Sequence, residues 1–456
     1  MTRKPKSRFV CQSCGYVAPR WVGRCPECNE WNTVIEEALP EKETRSPSRQ
    51  PTTRPVFLSS VDRAEVTRLS TGIGELDRVL GGGLVPGSVV LVGGDPGVGK
   101  TTLLMEAVSR LARDGIGALY VSGEESGAQL ALRAERLGLD LAAFQALFTT
   151  SLVEIVAALD DRRPRVVVID SIQTTADPEV GTAPGTIGQI REVAQKLTQY
   201  AKERTTAVFL VGHITKEGSI AGPKVLEHLV DTVLYFEGGT HYPYRILKAH
   251  KNRFGPTHEV GIFEMKERGL VEVANPSELF LTRRDAPISG AAVTAAIEGT
   301  RSIMVEVQSL TTSSTLAVPR RTSMGIDYNR TAIIAAVLEK KGGINLSAHD
   351  IFVNVAGGIR LTEPSVDLAL AASLVSSHTG IAIPPGVVFF GEIGLSGEVT
   401  GVSQSALRIA EAQRLGFIRA VVPSTNAADE GVPAGIEVTG IRNIARLVDL
   451  LKSFTG

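Results

Sequence analysis

All four cysteines of the chain fall within its first 28 residues, as Cys11-x-x-Cys14 and Cys25-x-x-Cys28. Each pair can wrap one tight turn around a metal, and together they supply four thiolates for tetrahedral Zn²⁺ with bonds of about 2.3 Å. Gly15, Gly23 and Pro26 suit those turns. Two disulfides or a thioredoxin-like redox pair would use the same residues, but a reducing compartment disfavours the first and no βαβ pattern surrounds either pair. A segment this short buries too little surface to fold alone, so metal binding is expected to supply its folding energy. Trp21 and Trp31, the only tryptophans, flank the second pair and are expected to pad this small core.

A second constellation handles phosphate. Gly94-Asp95-Pro96-Gly97-Val98-Gly99-Lys100-Thr101, followed by Thr102, stands between an apolar run, SVVLVG, and a helical one, TTLLMEAVSRLA. Glycines there let backbone N–H groups curl around a triphosphate at a helix N-terminus, Lys100 reaches the β- and γ-phosphates, and the Thr101 hydroxyl suits Mg²⁺. Val166-Val167-Val168-Ile169-Asp170 reads as a buried strand delivering a carboxylate to the metal's water shell. Hydrolysis also needs a group to orient the attacking water. Glu124 and Glu125, after the strand ALYVSG, are the candidates, with capping of the next helix as the alternative role. His213 ends the strand AVFLVGH at the ligand edge of a parallel sheet, where it is either a γ-phosphate sensor or a satisfied polar residue.

These residues need a sheet to hold them. From about residue 69 to 270, short β-branched runs alternate with helical stretches, the signature of an α/β fold with a mainly parallel sheet. After about 285 the pattern restarts (SIMVEVQSL, NRTAIIAAVLEKKG, DIFVNVAG, PSVDLALAASLVSSH), giving a second α/β domain. The proline-rich, charged stretch 39–57 reads as a flexible linker. The expected organisation is therefore a zinc finger over 1–38, a linker over 39–57, an ATPase core over 58–285 and a second domain over 286–456. With 48 basic and 49 acidic residues the chain is no polycation, yet residues 1–60 hold 10 basic against 6 acidic, a local excess of +4. No apolar run approaches the roughly 18 residues of a membrane helix, and the basic start leads into Cys11 rather than an apolar signal, so a cytoplasmic protein without membrane partners is expected.

With these residues placed, the chain resembles the RecA-like ATPases and, among them, the bacterial recombination and repair family RadA (Sms). The strings that carry the resemblance are the paired CxxC, RLSTGIGELDRVLGGGLVPGSVVLVGGDPGVGKTT, YVSGEES, VGHITKEGSIAGPKVLEHLVDTVLYFE and Lys251-Asn252-Arg253-Phe254-Gly255, the family's own signature. The resemblance implies a RecA-like core followed by a Lon-protease-like domain. It also implies a hexameric homo-oligomeric ring that moves on single-stranded DNA, drives branch migration on branched DNA, and has the RecA recombinase as partner. It makes Lys251 and Arg253 candidates to reach a nucleotide held by an adjacent subunit. Two Gly-rich segments, 177–186 and 216–224, match the flexible loops that line such rings, with Lys216 and Lys224 as DNA contacts; ordinary surface turns are the alternative.

Two other functions compete: an ATP-dependent Lon-like protease, and a RecA-fold regulatory ATPase resembling the circadian-clock family. KNRFG and the finger speak against the latter. Against the former, Ser365 stands where a Lon-like nucleophile would, but the matching lysine position falls on Ala406 and residues 392–420 contain no lysine. Arg408 stays protonated and cannot serve as base. Ser365 is therefore expected to cap the helix that follows, while Arg320, Arg321 and Arg330 are expected to form a basic patch facing DNA.

Overall fold

The computed structural model describes residues 7–11, 16–27, 29–38, 57, 67–212, 223–238, 244–282, 286–315, 318–428 and 435–455. The chain divides into two compact units, Met1–Val273 and Ala274–Gly456.

Near the N-terminus, Ser7–Cys11 pairs antiparallel with both Val17–Ala18 and Val34–Ala38. Cys11 and Cys25 are fully buried beside Val34, with Phe9, Tyr16 and Val22 packed around them. Both sit in the same turn geometry, because the Cys11 N–H donates to the Tyr16 carbonyl and the Cys25 N–H to the Glu30 carbonyl, each at 2.9 Å. The tryptophans do not pad this core: Trp21 is 58% and Trp31 69% exposed, and Arg24 lies over the Trp31 ring at 5.7 Å.

The nine-stranded sheet of the first unit runs, edge to edge, Gly269–Glu272, Val260–Lys266, Tyr244–Asn252, Thr232–Glu237, Val89–Gly94, Ala207–Val211, Val166–Asp170, Ala118–Ser122 and Ala146–Phe148. The last six are mutually parallel and the first three join them antiparallel. Central strands read as unbroken apolar runs because both faces are covered. Val90, Val92, Val166, Val168 and Phe209 face the helices Lys100–Arg113 and Gly127–Arg136. Their alternates Val89, Leu91, Val167, Ile169 and Leu210 face Leu152–Arg162 and Ile187–Arg204. Each fully buried leucine, such as Leu103 or Leu104 beneath the phosphate loop, contributes about 1.5–3 kcal/mol.

The second unit is built on a seven-stranded mixed sheet in the order Arg321–Met324, His349–Val355, Arg301–Ser313, Ala291–Glu298, Val387–Phe389, Arg419–Pro423, Glu437–Ile441. Helix Asp367–Thr379 is buried from Asp367 through Ser376, as its continuous small and apolar composition dictates. The unit starts at Ala274, ahead of the 286 expected from the pattern restart. Its opening residues are committed to it: the Met304 N–H donates to the Ser277 hydroxyl at 3.0 Å, and Phe280 is buried against Gly357. Among the described residues, no helix is long and apolar enough to cross a membrane.

Candidate active site

Two glycines of the phosphate loop sit where a side chain would meet the backbone or strain it. A Cβ on Gly94 would lie 2.4 Å from the Phe236 carbonyl oxygen, and one on Gly99, at φ +117°, would lie 2.9 Å from the Met265 side chain. Lys100 folds back across the loop, donating to the carbonyls of Gly94 at 2.7 Å and Asp95 at 3.1 Å. Arg245 supports the loop from outside by donating to the Val98 carbonyl at 3.1 Å. Burial pushes the Lys100 ammonium below its ordinary range, while Asp170, Asp95 and Glu124 oppose that shift. A buried cation held by backbone carbonyls is poised to exchange them for phosphate oxygens.

Asp170 ends its strand two positions across the sheet from the phosphate loop, with Ala207–Val211 between. Its Oδ2 accepts from the Thr101 hydroxyl at 2.8 Å and from the Tyr120 phenol at 2.5 Å. The next residue, Ser171, donates to Glu124 Oε1 at 2.5 Å. Ser122 pairs with Asp170 in parallel register, so the segment carrying the two glutamates emerges beside the carboxylate strand. Glu124 and Glu125 then part company. Glu124 turns to Ser171 and acts electrostatically on Lys100, whereas Glu125 is ion-paired with Arg133 on the following helix. Neither caps that helix; Ser126 does, in a capping box with Gln129.

His213 and Lys216 lie outside the described residues, as does the side chain of Lys224. Segment 177–186 is more ordered than its glycines suggest. Gln189 accepts from the Asp177 N–H at 3.0 Å and donates to the carbonyls of Asp177, Val180 and Thr182 at 3.0, 3.1 and 2.9 Å, while Lys196 pairs with Asp177 at 2.5 Å.

Strand register sets the KNRFG turn far from its own phosphate loop. Asn252 pairs with Thr232, and Thr232 with Val90, at the amino end of the strand whose other end is Gly94. Four strand residues, about 13 Å, separate the two levels. Lys251 donates to the carbonyls of Glu227 at 2.5 Å and Val230 at 2.8 Å, and burial together with Arg253 lowers its pKa. Arg253, 51% exposed, pairs with Asp231 at 3.2 Å, and the other oxygen of Asp231 accepts the Val89 N–H. Gly255 packs so closely on Gly81 that an added Cβ would be 3.0 Å from its Cα.

In the second unit Ser365 is 2% exposed and caps nothing: helix Asp367–Thr379 has no side-chain cap. Its hydroxyl instead accepts from the buried Arg408 at 3.0 Å, and Arg408 also pairs with Glu363 at 2.7 Å and donates to the Ser403 carbonyl at 3.1 Å. The guanidinium outcompetes the helix N-terminus because a buried cation must be satisfied on every side. Arg330 is not part of an open basic patch either, since it grips Asp367 through two nitrogens, one at 2.7 Å.

The metal finger was legible from spacing, but Tyr120, Ser171, Arg133 and Arg245 were not. Tyr120, Ser171 and Arg245 act across strands, and only register brings them to the site, whereas Arg133 reaches back to Glu125 from the helix that follows it. Cys11 and Cys25 fit a shared metal by their burial and matching turns; Cys14 and Cys28 lie outside the described residues. Cys25→Ala is expected to remove the bound zinc of purified protein, from one ion per chain by elemental analysis to none, while basal ATP turnover is unchanged.

Three family models match: a rubredoxin metal binding domain at residues 9–36, an AAA domain at 55–219 and the subunit ChlI of Mg-chelatase at 305–426. The second unit thus has the Lon-like fold. A KaiC-like protein of Pyrococcus horikoshii is 24% identical, with a TM-score of 0.40 over 46% of this chain and 99% of that one. DNA repair protein RadA of Bacillus subtilis is 47% identical over 97% of this chain and 98% of its own length. That of Pseudomonas aeruginosa is 47% identical over 98% and 99%, and that of Brucella abortus 49% over 92% of both. Identity at this level over nearly the full length of both chains, on a P-loop ATPase core flanked by a zinc ribbon and a Lon-like domain, means that the chain belongs to the RadA family.

Proposed function

We propose that this ATPase is a DNA-dependent, single-stranded-DNA translocase that drives branch migration of recombination intermediates in DNA repair. In this reading it works in the cytoplasm as a homo-oligomeric ring of six, with the RecA recombinase as partner. The observation that carries the ring is the register of KNRFG: half-exposed Arg253 follows a strand end that lies level with Val90, at the far end of the phosphate-loop strand from Gly94. In a head-to-tail ring that edge meets the next subunit's phosphates, where an arginine stabilises transition-state charge. Lys251, already bonded to two carbonyls, would brace the turn.

Within one site, Lys100 exchanges the Gly94 and Asp95 carbonyls for phosphate oxygens. Thr101 and Asp170 would hold the Mg²⁺ and its water shell, and the ion would supply neutralisation of phosphate charge. Glu124, steadied by Ser171, orients the attacking water and takes its proton. Glu125 is a brace for Arg133. His213 would sense the γ-phosphate, and Lys216 and Lys224 would track DNA phosphates without reading bases. The Lon-like unit serves as a scaffold without peptidase activity, because Ser365 faces a buried guanidinium and residues 392–420 offer no lysine to take its proton.

Turnover measured with single-stranded DNA, with unfolded casein and with neither separates the readings. DNA should raise it and casein should not, with no peptides released. Arg253→Ala and Lys100→Ala chains, each inactive alone, should regain part of the DNA-stimulated turnover when mixed, since a ring can then hold an intact loop facing an intact arginine. No recovery at any ratio would sink the assignment between subunits.

A further inference from the structure

Tyr120 opens the string YVSGEES without a chemical role of its own in the sequence, yet it lies inside the active site. It occupies the middle of strand Ala118–Ser122 and is fully buried, its ring packed against Phe144 at 5.8 Å between centroids. Tyr120 pairs with Val168, two residues before Asp170. With a side-chain period of two, Val168 and Asp170 share the sheet face covered by the helix that begins at Lys100. A tyrosine at that register is long enough to reach forward along the neighbouring strand, and its phenol donates to Asp170 Oδ2 at 2.5 Å. The Thr101 hydroxyl donates to the same oxygen at 2.8 Å. Two donors from two different elements thus fix one carboxylate oxygen and leave the carboxylate little rotational freedom.

We propose that Tyr120 is a positioning residue for the metal: by donating to Asp170 Oδ2 alongside Thr101, it presets the carboxylate for the hydrated Mg²⁺ that accompanies the nucleotide. This rests on the ATPase reading of the site and adds a residue to it. A buried phenol that merely found the nearest acceptor would have the same contacts, so the test must read the metal.

Tyr120→Phe keeps the ring and its packing and deletes only the donor. In the full-length protein, Mg²⁺ is titrated against binding of a fluorescent non-hydrolysable ATP analogue. The half-saturating Mg²⁺ is expected to rise about tenfold, in line with loss of one hydrogen bond to a charged group. Affinity for the analogue in excess chelator is expected to be unchanged, and turnover lost at limiting Mg²⁺ should largely return at saturating Mg²⁺. In the Asp170→Asn background, Tyr120→Phe should produce no further shift. An unchanged Mg²⁺ midpoint, a shift that adds fully to that of Asp170→Asn, or a variant that cannot fold without metal would each overturn the proposal. A parent protein that binds the analogue without any Mg²⁺ dependence would instead overturn the ATPase reading.

Discussion

Lys100→Ala is expected to cut ATP turnover by about a thousandfold or more, since losing even one neutral donor to a developing anion costs about 10²–10³ and Lys100 carries a full charge. Its environment shows why no neighbour can substitute. The ammonium is nearly inaccessible, spans the loop from Gly94 to Asp95, and is kept charged against burial chiefly by Asp170. Arg245, the other cation on the loop, is occupied with the Val98 carbonyl on the outer side. The fold should survive. Two carbonyls lose a donor, a cost of about 1–3 kcal/mol that water entering the vacated space partly offsets. Circular dichroism should show a native spectrum, and titration with a labelled nucleotide should show weakened binding. Parent-rate hydrolysis by this variant would mean that the phosphate site lies elsewhere.

The elements most legible in the sequence were those whose requirements are local. A phosphate loop needs glycine where backbone approaches backbone, as at Gly94, or where φ is positive, as at Gly99. A buried parallel strand needs an unbroken apolar run, which is how Asp170 could be placed at a strand end. What stayed hidden depends on pairing between distant segments. Nothing in ALYVSGEES says that its tyrosine will meet a carboxylate 50 residues on, nor which glutamate will turn inward. The same limit explains Ser365. A serine before a helix is a sound cap by composition, but Arg408, 43 residues later, arrives buried and takes the hydroxyl. Trp21 and Trp31 illustrate a limit of size: in so small a core, apolar character does not decide which side chains lie inside. Segment 177–186 looked loose because its glycines are visible and the glutamine that clamps it, Gln189, lies in the next helix.

The adjacent glutamates give the second large effect. Glu124→Gln should retain nucleotide binding and lose hydrolysis by about 10²–10⁴-fold, the usual contribution of a positioned general base. Glutamine keeps the length and can still accept from Ser171, so the geometry persists while the ability to take a proton does not. Glu125→Gln should behave differently. That carboxylate is committed to Arg133, and both partners are partly exposed, so the pair is worth at most about 1 kcal/mol and touches no reacting group. Its variant should hydrolyse ATP close to the parent rate with a slightly lower melting temperature. The decisive comparison is a single-turnover experiment with both variants preloaded with ATP before Mg²⁺ is added, because it removes binding and product release from the measured rate. Under those conditions Glu124→Gln should accumulate bound, unhydrolysed ATP, whereas Glu125→Gln should release phosphate with the parent's time course. The opposite pattern would reverse the two roles, and would require Glu125 to leave Arg133 and swing toward the phosphates when nucleotide binds.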